Sequence, residues 1–235
     1  MKVEIWSDVM CPFCYIGKRK FETALAQFEN KDSIEIEWKS FQLNPAQETD
    51  PTRSVTEYLA EVKGWTLGYA RQMNDYVTNM AREVGLQYDF DKAIIANSFD
   101  AHRVVQLAKK HGQGDAMEER LFKAYFTEGL NTADHETLLR LGVEIGLDSE
   151  EVKQVLASDQ YRNEVKADIN EARQVGVTGV PFFVFNQKYA VSGAQAPETF
   201  LGALKKSFGE WEEVNPVTEP VTIQGAVCTP DGNCA

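Results

Sequence analysis

The chain has 235 residues, of which 43% are hydrophobic and 11% aromatic, enough to bury an ordinary core in one large domain or two intimate ones without metal or disulfide staples. Its apolar runs fall far short of the roughly 18 residues of a membrane span, and 24 Lys+Arg against 36 Asp+Glu, net −12 with the basic residues scattered, argue against a nucleic-acid partner. Val3 and Ile5 alternate with Lys2 and Glu4, where a secretory leader would run from basic residues into a continuous apolar stretch, so the expected compartment is the cytoplasm.

In chain order, residues 3 to 7 read as a short strand that stops at Ser7-Asp8. Ile16, Phe21, Ala24, Leu25 and Phe28 recur at helical spacing over 14–28. Ile34, Ile36 and Trp38 alternate with charged residues in a second strand that continues to Leu43 and ends at Pro45. From Ser54 the pattern turns helical. Ser54-x-x-Glu57 is a capping box, with Val55, Tyr58, Leu59 and Val62 following before Gly64. Further helices are predicted over 67–84, 97–110, from an Asp115-x-x-Glu118 start to Phe126, over 134–145 and 149–157, and from Tyr161 to Val175 before Gly176. Strand character returns with Phe182–Phe185, a turn at Asn186-Gln187 and a return strand over 188–192. Pro197, Phe200, Leu201, Leu204 and Phe208 give a last helix, closed by Gly209, and residues 210–235 read as an irregular tail.

Four cysteines are too few for a disulfide scaffold. Cys11 and Cys14 form C-x-x-C at the junction of the first strand and helix, and Cys228 and Cys234 form C-x5-C at the C-terminal end. A cysteine at a helix N-terminus meets unpaired backbone N–H groups and the positive end of the helix dipole, which stabilise a thiolate. Cys11 is therefore the candidate nucleophile. Cys14, one turn on, is placed to resolve a mixed disulfide, and Pro12 suits a first turn that needs no N–H donor. The competing reading is a zinc site. It needs two more ligands, but His102, His111 and His135 show no helical pairing and C-x2-C with C-x5-C is an odd ligand set, so no metal is expected. His102, set among Ala101, Val104 and Val105, reads as a hydrogen-bonded core histidine, and Asp8 as a helix-entry turn residue. Thr229-Pro230-Asp231-Gly232-Asn233 favours a turn that brings Cys228 and Cys234 within disulfide reach, as a second redox pair relaying electrons or as a local clip.

The sequence resembles the thioredoxin-like superfamily and, within it, the DsbA-type oxidoreductases. The resemblance rests on residues 3–8 leading into Cys11-Pro12-Phe13-Cys14-Tyr15-Ile16-Gly17, on Gly179-Val180-Pro181, and on the inserted helices. It is nearest the cytosolic FrnE-like branch through Asn97-Ser98-x3-His102-Arg103, residues 182–186 and Ser192-Gly193-Ala194-Gln195. It implies an α/β thioredoxin-like fold with a large inserted all-α domain: residues 1–45 and 164–208 form the discontinuous thioredoxin-like domain, 54–163 the helical insertion, and 209–235 an extension carrying the second cysteine pair. It also implies a cis proline at Pro181 facing the cysteines, with Val180 free to pair its backbone with an extended substrate beside Pro12 and Phe13.

The function expected is thiol:disulfide exchange on protein substrates with no required cofactor, glutathione or a thioredoxin-type system serving as redox partner. Phe13 stands where the periplasmic oxidants resemble one another in using histidine, so oxidising, reducing and isomerising directions all stay open. Two other readings share the fold or the groove. Kappa-type glutathione transferases and 2-hydroxychromene-2-carboxylate isomerases look similar but activate glutathione with serine at the first motif position; a chaperone-like module would bind peptides without chemistry.

Overall fold

The computed structural model describes residues 1–215. A four-stranded sheet has the order β2-β1-β5-β6, built from β1 (Lys2–Ser7), β2 (Glu35–Ser40), β5 (Phe182–Phe185) and β6 (Tyr189–Ser192). β1 lies parallel to β2, with Ile5 opposite Trp38, and antiparallel to β5, with Ile5 opposite Phe183. β1 is therefore central and buried on both faces, which explains why its alternation of polar and apolar residues does not correspond to a wet and a dry side. Glu4, on the second face, meets Lys39 at 3.5 Å, and Trp6 donates its indole N–H to the Asp168 carbonyl at 3.0 Å.

Two helices cover the first face, α1 (Pro12–Ala26) and α9 (Pro197–Val214). Phe21 packs on Phe183, Phe185 and Phe200, and Phe28 edges onto Phe208. The second face carries α8 (Arg162–Val175), with Ala172 among Trp6, Val177 and Val184. Between β2 and α8 the chain forms α2 (Val55–Lys63), α3 (Leu67–Glu83), α4 (Phe99–Lys110), α5 (Gly114–Lys123), a π-helical turn over Ala124–Glu128, α6 (His135–Glu144) and α7 (Ser149–Leu156). Part of this segment joins the sheet core, since Val55, Val77, Phe122, Tyr125 and Phe126 are continuous with Val3, Ile5 and Phe183. The rest packs a core of its own from α4 to α7, into which Val9 enters from the β1–α1 loop.

Several boundaries differ from the sequence reading. The final helix passes through Gly209 to Val214, because Gly209 is not left-handed and Phe208 packs against Trp211 while Lys188 and Tyr189 bind Glu210. The extension thus begins beyond α9 rather than at residue 209, and Cys228 and Cys234 lie outside the described residues. A two-stranded ladder of β3 (Asp50–Ser54) and β4 (Ile94–Ile95) was not expected, as Asp50-Pro51-Thr52-Arg53-Ser54 has no apolar alternation. The capping box at Ser54 and Glu57 forms as predicted. Asp115 does not cap α5; its carboxylate instead accepts from Trp38 Nε1 at 2.9 Å and approaches Lys18 at 3.3 Å.

Candidate active site

The cysteines sit where strand geometry ends and helix begins. Cys11 is extended (φ −88°, ψ 110°) and serves as N-cap of α1, with Pro12 at the first helical position. Its amide donates to the Asp8 carbonyl at 2.9 Å and its carbonyl accepts from the Cys14 amide at 3.0 Å, so the two thiols occupy one helical turn. Among the described residues both are free thiols, and both are buried, Cys11 3% and Cys14 1% exposed. Burial pushes the Cys14 thiol well above the ordinary thiol value, and the neighbouring Cys11 adds to the rise. Cys14 is therefore a protonated thiol when the pair is reduced.

The loop before β5 closes the site from the other side. The Val180–Pro181 peptide is cis, and the Cys11 thiol donates to the Val180 carbonyl at 3.4 Å. Gly193 N–H holds the Pro181 carbonyl at 2.8 Å. α1 meets this loop at Gly17, where a methyl group would stand 2.9 Å from Pro181 Cγ. Phe13 is 36% exposed beside Pro12 and offers apolar surface next to Cys11. Cys11, Cys14, Pro12, Phe13, Val180 and Pro181 thus come together from residues far apart in the chain.

Other residues hold this geometry and were not singled out as site residues. The Tyr88 hydroxyl donates to the Pro12 carbonyl at 2.8 Å, and its ring stacks on Phe126 with centroids 4.5 Å apart. The π-helical turn anchors the Tyr88 segment, since the Phe126 carbonyl accepts from the Asp89 amide at 2.7 Å. Nothing in the local sequence around Tyr88 signals this contact. Lys18, 3% exposed, is ringed by Glu22, Asp115 and Glu119, pinning α1 to α5. His111 pairs with Glu151 at 2.7 Å and His135 with Asp100 at 2.9 Å. His102 is fully buried, but no hydrogen bond among the described residues satisfies it; it faces Asp8 at 3.6 Å. Asp8 does act in the turn, accepting from the Leu43 amide at 2.7 Å, and its approach to His102 is additional.

A dithiol at a helix N-terminus, facing a cis proline that opens a strand of a mixed sheet, defines a thioredoxin-like protein, and helices between β2 and α8 mark the DsbA-like form of that fold. The model of the DSBA-like thioredoxin domain matches residues 2–205, and the chain belongs to that family. A probable DsbA oxidoreductase from Streptomyces coelicolor is similar in structure, with a TM-score of 0.83 at 39% identity, covering 100% of this chain and 98% of that one. An uncharacterised Bacillus subtilis protein, YwbO, is 28% identical over 206 residues, 86% of this chain and 94% of its own length. The cytosolic disulfide reductase DsbM from Pseudomonas aeruginosa shares the fold, with a TM-score of 0.64 at 16% identity over 89% of this chain and 100% of that one.

Proposed function

We propose that this protein is a thiol:disulfide oxidoreductase acting on protein substrates. The observation that carries the reading is the meeting of Cys11 Sγ, at the start of α1, with the Val180 carbonyl beside Pro181, the two 3.4 Å apart. In the reductive direction the Cys11 thiolate attacks a substrate disulfide, forming a Cys11–substrate bond and breaking the substrate S–S bond. The departing substrate sulfur takes the electron pair and a proton. Cys14 then loses its proton and attacks Cys11 Sγ, releasing the second substrate thiol and leaving a Cys11–Cys14 disulfide. Two electrons have passed to the substrate. A dithiol protein of thioredoxin type or two molecules of glutathione restore the reduced pair, and no bound cofactor is needed; DsbM, which shares the fold, is also known in a structure with GSH.

Val180 supplies backbone groups to an extended substrate, and Pro12 and Phe13 supply apolar contact. We place the protein in the cytoplasm, in line with the FrnE-like resemblance; no helix among the described residues is long and apolar enough to cross a membrane. Cysteine in place of serine at position 11 disfavours the glutathione transferase and isomerase readings. The test is an insulin-reduction assay with single variants. Cys11→Ser abolishes turnover, and Cys14→Ser accumulates mixed disulfides on Cys11. Wild-type turnover by Cys11→Ser would overturn the assignment, and retained binding of unfolded peptide by a Cys11→Ala, Cys14→Ala double variant, with no disulfide turnover by the wild type, would favour a chaperone-like module.

A further inference from the structure

Three titratable side chains meet behind the dithiol and take no part in the exchange just described. Asp8 stands in the β1–α1 loop, His102 in α4 and Glu118 in α5, and all three are fully buried. His102 Nε2 lies 3.6 Å from Asp8 Oδ1. Both imidazole nitrogens and both Glu118 carboxyl oxygens lack a hydrogen-bond partner among the described residues. Glu118 faces His102, Asp8, Asp115 and Lys18; the imidazole also faces the Phe41 carbonyl, and the buried Tyr125 phenol faces Asp8 and Tyr58. One turn along α4 from His102, Gln106 donates to Asp168 at 2.6 Å, so that carboxylate is already engaged.

The cluster touches the dithiol through Asp8. The Asp8 carbonyl accepts from the Cys11 amide at 2.9 Å, and against the rise that burial imposes on the Cys14 thiol, the Asp8 backbone and the Ser7 side chain act to lower it. A buried carboxyl group and a buried imidazole, neither with a hydrogen-bond partner among the described residues, carry charge only where a neighbour compensates it, so Glu118 and His102 each offer a place to hold a proton. Burial pushes Glu118 up to about 7. For His102, the carboxylates of Asp8 and Glu118 outweigh the lowering effect of burial and raise it. The cluster consequently changes charge across neutral pH.

We propose that Asp8, His102 and Glu118 form a buried proton site coupled to the oxidation state of Cys11 and Cys14, which gains proton occupancy on reduction and loses it on oxidation. The inference rests on the oxidoreductase reading. A dithiol donor gives two electrons and becomes a disulfide; one of its two protons goes to Cys14, and the other is divided among Cys11, the cluster and solvent. The disulfide is neutral, whereas a Cys11 thiolate beside the cluster favours its protonated form. By reciprocity the protonated cluster favours the thiolate, so ionising the cluster makes the pair more reducing. The three are positioning residues: they touch no substrate and act through the charge they hold beneath the cysteines.

The test is the reduction equilibrium of the Cys11/Cys14 pair in glutathione buffers across the neutral pH range, with the thiol ionisations followed separately by thiolate absorbance. In the wild type the equilibrium constant shifts toward the disulfide with rising pH by about tenfold more than the two thiols account for, the scale of one unit charge in a poorly screened interior. The His102→Gln, Glu118→Gln double variant follows the thiols alone. Because that variant has altered packing, a second measurement needs only wild-type protein: proton uptake on reduction with dithiothreitol in weakly buffered solution exceeds the amount the thiols take. Equal pH dependence in wild type and variant, or uptake matching the thiols, overturns the proton site while leaving the oxidoreductase reading intact. Failure of Cys11 and Cys14 to form a reversible couple with either reagent overturns both.

Discussion

Replacing Gly17 with alanine puts a single methyl group between α1 and the loop that faces Cys11. The added Cβ falls 2.9 Å from Pro181 Cγ, 3.5 Å from Phe183 Cζ and 3.6 Å from Ala194 Cα. Carbon atoms pack best at about 3.5 to 4.0 Å, so the first contact must open by more than half an ångström while the other two block sideways escape. Pro181 cannot yield freely, because its carbonyl is held by Gly193 and β5 begins at the next residue. Removing a glycine from a helix interior gains roughly 0.5 to 1 kcal/mol, and overpacking costs roughly 1 to 3 kcal/mol. Overpacking wins, leaving a net loss of about 1 kcal/mol in urea unfolding. The shift also parts Val180 from Cys11, and insulin reduction falls by about tenfold, a fraction of what a full ångström of misplacement costs. Gly209→Ala is the control, since a methyl there meets nothing within 4 Å in a helix with ordinary φ; it gains stability and leaves turnover unchanged. A Gly17→Ala protein as stable and as active as the wild type would refute the reasoning.

Tyr88→Phe removes the hydrogen bond to the Pro12 carbonyl and lowers stability by about 1 kcal/mol, read from denaturant midpoints, with slower turnover. Glu118 binds its proton more tightly folded than unfolded, so its contribution to stability is fullest below its ordinary value of 4.5 and is lost as pH rises through about 7. That loss amounts to about 3 kcal/mol, and the melting temperature of Glu118→Gln relative to wild type therefore rises between mildly acid and mildly alkaline solution; a pH-independent difference counts against it. If Cys228 and Cys234 relay electrons, converting both to serine slows turnover without moving the Cys11 thiolate absorbance titration, and unchanged turnover with every donor favours a clip.

Local pattern was enough for the parts of this protein in which one residue's role depends on its near neighbours in the chain. Cys11-Pro12-Phe13-Cys14 at a strand-to-helix junction, the Ser54–Glu57 capping box and the Phe182–Phe185 hairpin are legible because spacing and backbone preference act over a few residues. The DsbA-like resemblance joined these separate signals into one fold. Three-dimensional packing decided the rest. Gly209 looked like a helix stop because glycine weakens a helix, yet Phe208, Trp211 and the Glu210 contacts outside the segment carry α9 onward to Val214. Asp115 looked like a cap, but Trp38 and Lys18 from distant elements take its carboxylate. Asp8, His102 and Glu118 lie on a loop and two helices, and no periodicity connects them. Their burial behind the cysteines, and the approach of His102 to Asp8, exist only once α4 and α5 pack against the β1–α1 loop, because burial and electrostatic coupling depend on distance in space rather than separation along the chain.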